Sequence, residues 1–60
     1  MKRYQCNDYP SGFRILTEQE ILDEYYGYWC DRMRKAGKED EISKELCIED
    51  WILVNYAWEV

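Results

Sequence analysis

The chain contains no histidine. That absence removes the commonest general base, every Ser-His or Cys-His nucleophile pair and the H-E-x-x-H zinc motif. Glycine occurs three times and proline once, so no glycine-rich loop is present to cradle a phosphate. Cysteine occurs three times, at Cys6, Cys30 and Cys47, with no C-x-x-C. One thiol must stay unpaired within a monomer, and separations of 24 and 17 residues suit a zinc site poorly. The simplest reading is three small buried hydrophobes in a reducing compartment, with no metal and no cofactor. The opening MKRYQCNDYP carries basic residues without the apolar stretch of a signal peptide, so a cytoplasmic location is expected. The C-terminal run WILV is four residues long against the ~20 that span a bilayer. No membrane partner is expected.

Positive charge is also scarce. Thirteen acids face eight bases, a net charge of −5, and such a surface is repelled by a nucleic-acid backbone. The cluster Arg32, Arg34, Lys35 and Lys38 reads as the cationic end of a helix, with Asp31 and Lys35 spaced to pair. The acidic runs KEDE and IED offer carboxylate pairs, but neighbouring acids in a charged turn read as solvated surface. A pocket of the usual ~300 Å³ or more is a large demand on so small a chain. An enzyme is not expected. An acidic mimic of a nucleic acid, using KEDEI with Glu45, Glu49 and Asp50, is one alternative. A structural subunit of a larger assembly is another.

Aromatic residues are what the chain has in quantity: 17%, with three Trp and six Tyr. Sixty residues form one domain, which buries only about 60% of the surface its unfolded chain exposes. Domains of this size lean on a dense core or on a second subunit, and large rings serve either need.

Four segments follow: a hairpin over 1–16, a helix over 17–36, a turn over 37–43 and a helix over 44–59. The fold class is α+β, an N-terminal β-hairpin followed by two packed helices. YPSG places Pro second and Gly fourth of a type I turn. Tyr4 and Cys6, then Phe13 and Ile15, alternate as the inward positions of its strands. Thr17 and Glu20 spell a capping box, Leu16 and Ile21 a hydrophobic staple, and Gly37 a helix stop. Winding the first helix gathers Leu22, Tyr25, Tyr26, Trp29, Met33 and Ala36 on one side. Gly27 falls on the polar side.

Ser43 caps the second helix, with Ile42 and Cys47 as its staple. That helix has no wide polar face. Cys47, Trp51, Val54 and Trp58 form a line expected to pack inside. Trp29 and Trp51 form the expected core centre, with Trp58, Tyr25, Tyr26, Leu22, Met33 and Ile48 filling the remaining interior. Tyr28, Ile52, Leu53 and Tyr56 are left over. Large amphipathic rings on an acidic surface mark a protein-binding patch. The Ile52, Leu53 and Tyr56 side is expected to meet another chain, most simply a second copy in a homodimer.

LTEQEILDEYYGYW, GKEDEI and CIEDWILVNYAWEV resemble short acidic proteins of unknown function encoded by tailed bacteriophages, a likeness covering residues 16–60. The resemblance implies a phage accessory protein in an infected bacterial cell. It would bind a host protein, such as a defence component, and inhibit or modulate it.

Overall fold

The computed structural model describes residues 2–8, 10 and 12–60. Strand β1 (Arg3–Asn7) and strand β2 (Phe13–Thr17) form an antiparallel hairpin, followed by helix α1 (Glu18–Lys35), a 3-10 turn at Glu39–Glu41 and helix α2 (Lys44–Asn55). A short strand β3 (Trp58–Glu59) then returns to the far edge of β1, giving a three-stranded sheet of order β2-β1-β3. The fold is α+β, as its periodicities predict. The proposed YPSG turn includes Tyr9 and Ser11, which lie outside the described residues; across it, the Asp8 N–H donates to the Gly12 carbonyl at 2.8 Å.

Capping residues set where the helices begin. The Thr17 hydroxyl accepts from the Glu20 N–H, and the Glu20 carboxylate accepts from the Thr17 N–H. Leu16 and Ile21 are both buried in one cluster, as a staple requires. The Ser43 hydroxyl accepts from the Leu46 N–H at 3.1 Å, and Ile42 packs on the cluster that holds Cys47.

Both helices end in the same way. The Gly37 N–H donates to the Arg34 carbonyl and the Lys38 N–H to that of Met33. In α2 the Tyr56 N–H donates to Leu53 and the Ala57 N–H to Ile52. This is the Schellman arrangement, whose pivotal residue takes a left-handed conformation and is usually glycine. Gly37 fills that position after α1, with φ +74°, whereas after α2 it is Tyr56, with φ +50°. The expected helix over 44–59 is therefore too long by four residues. The left-handed turn at Tyr56 sends the chain back so that Glu59 pairs with Tyr4 and Trp58 with Gln5.

Two clusters make the interior. Tyr4, Cys6, Leu16, Ile21, Ile48 and Trp51 join the sheet to both helices. Trp29, Cys30 and Cys47 lie between the helices farther along, and Leu22 and Tyr25 pack on both clusters. Trp29 and Trp51 are buried as expected, but each centres its own cluster. All three cysteines are buried and unpaired. The inner line expected on α2 breaks after Trp51: Val54 and Trp58 are exposed. Val54 lies in the last turn of α2, and Trp58 has left the helix.

The phase of β2 is also opposite to that expected. Tyr4 faces Leu16 and Cys6 faces Arg14 across the hairpin. Residues paired across strands share a face, so Leu16 points inward with Tyr4 and Cys6. Phe13 and Ile15 point outward and are exposed. Ala36, which caps the end of α1, is exposed, while Ile21 and Cys30 on the helix, which flank the expected stripe, are buried. Gly27 stands exposed with nothing near it, and nothing in the structure explains it.

Candidate functional site

Helix α2 buries Cys47, Ile48 and Trp51. Leu46 and Leu53, two turns apart, fall on its opposite side, and Leu53 is 72% exposed. Glu49, Ile52 and Leu53 line an open cleft of about 380 Å³. Leu53 also borders a second cleft of about 270 Å³, with Leu46, Glu49, Trp29 and Met33 among its walls. Beyond Leu53 stands Tyr56, 87% exposed. Its ring joins neither core cluster.

The four residues singled out from sequence are not one patch. Ile52 and Leu53 meet at a cleft, but Ile52 is half-buried against the Trp51 cluster and forms the rim. Leu53 and Tyr56 are the bare members. Tyr28 is exposed on α1 and borders neither cleft beside Leu53. Its ring is tilted against that of Tyr25 at 5.6 Å and lies under the Arg32 guanidinium at the same distance.

Tyr28 belongs to a polar link between the helices. The Tyr25 hydroxyl donates to the Asp50 carboxylate at 2.6 Å and accepts from Arg32 at 3.5 Å. Burial first, and the bond to Asp50 second, push the Tyr25 hydroxyl up to about 12. Arg32, Lys35 and Lys38 border a groove of about 510 Å³ with Asp50, Trp29 and Met33. Asp31, spaced to pair with Lys35, instead pairs with Arg34 at 3.7 Å, and Arg34 also reaches Glu39. On the other side of α1, Arg14 is tied to Glu24 and Asp8.

The three thiols are buried. Burial pushes the Cys47 thiol up to about 11, whereas a reactive cysteine needs an exposed, electropositive setting. The Tyr26 hydroxyl is raised, chiefly by its hydrogen bond with Cys30. Among the described residues no group of three or more Cys, Asp or Glu is placed to hold a metal ion, and no helix is long and apolar enough to cross a membrane.

Sequence reasoning missed a second bare surface. Phe13, Ile15 and Trp58 lie on the outer face of the sheet, all exposed. The signal was present: a staple at Leu16 forces Ile15 to the opposite side of the strand.

No protein-family model matches the chain, and neither a curated protein nor a solved structure matches it.

Proposed function

We propose that this chain works by binding another protein, and that the bare end of α2 carries the contact. The observation that supports this reading most strongly is Tyr56. A bulky residue held in the left-handed region costs on the order of 1 kcal/mol, and glycine, which avoids that cost, serves the same turn after α1. At 87% exposure the ring gains almost no packing within the chain in exchange. Beside it stands Leu53, so the strained residue and the barest aliphatic side chain share one end of one helix. Tyrosine is also among the residues enriched at binding hot spots. The resemblance to small phage proteins suggests a host protein as the partner and inhibition or modulation as the outcome.

Capture from a bacterial lysate on immobilised protein, read by mass spectrometry, tests the reading. Leu53→Glu should abolish capture of the specific partner while leaving the circular dichroism spectrum intact, because Leu53 is outside both core clusters. Capture by the wild type should change little between low and high salt, since an apolar contact is barely screened. A partner retained equally by Leu53→Glu would place the contact elsewhere. Steep loss of binding with salt would favour recognition through the acids.

A further inference from the structure

The outer face of the sheet is a second, separate surface, and its composition is unusual for this chain. Register sets it out in rows across the strands. Ile15, Gln5 and Trp58 form the middle row. Thr17 and Arg3 lie on one side of it, with the Val60 N–H donating to the Arg3 carbonyl, and Phe13 and Asn7 lie on the other. An antiparallel sheet with one solvated face is normally polar there. Here Phe13 is 59% exposed and Trp58 45%. None of the thirteen acids stands in these rows, and Arg3 gives the face a positive charge.

We infer that this face packs against the same face of a second copy, forming a two-fold dimer with the sheets back to back. Charge is the first argument. Two molecules of net charge −5 repel each other, and the acid-free face lets them meet without opposing carboxylates. The bare side of α2 does not, because Glu49 lines both clefts beside Leu53. The homodimer contact expected on Ile52, Leu53 and Tyr56 is therefore assigned to the sheet instead.

Self-complementarity is the second argument. A two-fold axis crossing the strands at Gln5 lays β2 over β2 and β3 over β3. It sets Ile15 on Ile15 and Trp58 on Trp58. Gln5 meets Gln5, whose amides each carry a donor and an acceptor. Arg3 then lies over Asn7 of the second copy, so no like charges coincide. Isologous contacts of this kind need one patch that fits itself, and sheets stack in this way about 10 Å apart.

Area is the third. The apolar patch covers a few hundred Å², at the upper end of what monomers leave bare. With its polar rim, two copies bury roughly 1,000 Å² in total, near the lower limit of specific interfaces. An interface of that size suits a dissociable dimer.

Sedimentation of the full chain over a concentration series tests this, together with cross-linking. The wild type should pass from monomer to dimer as concentration rises. Trp58→Glu should raise the midpoint by at least about 30-fold, as loss of a hot-spot aromatic does. If β3 detaches in that variant, Ile15→Glu on β2 reads the same contact. Gln5→Cys, on the axis, should be joined to its copy by a short thiol-specific bifunctional reagent that spans the gap of about 10 Å between the sheets, whereas Leu53→Cys should not. The native cysteines are buried and leave a low background. A wild type that stays monomeric at its solubility limit overturns the dimer. So does cross-linking at Leu53→Cys but not at Gln5→Cys. Neither result bears on capture of a different protein through α2, which Leu53→Glu reads separately.

Discussion

Trp51→Ala leaves the chain largely unfolded at room temperature. The indole is buried among Tyr4, Cys6, Leu16, Ile21 and Ile48, the contacts that join the sheet to both helices. Removing a buried Trp side chain costs about 3–5 kcal/mol. A domain of 60 residues has roughly 3–9 kcal/mol in total. The loss of the far-UV circular dichroism signal without denaturant, or a urea midpoint near zero, is the expected reading. Trp58→Ala at dilute concentration should be far milder, because that ring is exposed on the outer face of the sheet. Equal losses at the two positions would contradict the placing of Trp51 in the core and Trp58 on the surface.

Alkaline solution should destabilise the chain well before its backbone chemistry suffers. In the unfolded chain a thiol releases its proton near pH 8.5 and a phenol near pH 10. In the fold, Cys47 holds its proton to about 11, through burial first and then the neighbouring Cys30 and Asp50. Tyr25 holds its proton to about 12. Both groups are therefore raised by folding, so their contribution is complete below the unfolded values and declines as pH rises through the folded ones. For fully buried Cys47 the loss is on the order of 2–3 kcal/mol between about pH 8.5 and 11. Half-buried Tyr25 contributes less, over a window starting near pH 10. Urea midpoints should be level from neutrality to about pH 8.5 and fall steeply above it. Cys47→Ala should flatten the lower part of that fall. A midpoint unchanged at about pH 10.5 would rule out the burial-driven shift.

Much of the fold was legible because local signals agreed. Thr17, Glu20, Leu16 and Ile21 form a cap and staple whose spacing is visible in the sequence, and each does in the structure what that spacing demands. Ser43 and Gly37 are equally direct. The errors lie where two local readings conflict or where a position lacks its customary residue. Phe13 and Ile15 alternate as an inward pair would, yet Leu16 cannot act as a staple unless Ile15 points out. The staple prevails because Leu16 must cover Ile21 at the start of α1.

The end of α2 was hidden for the second reason. Gly37 announces the close of α1, but Tyr56 occupies the same position after α2 and announces nothing. Without that turn, Trp58 continues the Cys47 and Trp51 line and looks like core. With it, Trp58 joins the sheet and lands on the outer face. Tyr28 shares with the end of α2 only that both exceed the interior positions a small core offers; its neighbours in space are Tyr25 and Arg32. The third strand is two residues long, too short for any alternation to reveal.

Tyr56→Gly tests the central claim most directly, because it sets stability against binding. Relief of the left-handed backbone should stabilise the fold by about 1 kcal/mol, a rise of roughly 4–8 °C in melting temperature for a domain of this size. The same variant should lose the partner that the wild type captures from a bacterial lysate. A variant that melts higher and binds nothing would mean that Tyr56 is kept for contact rather than for folding. A variant that melts lower, or that captures the same partner as the wild type, would contradict the account.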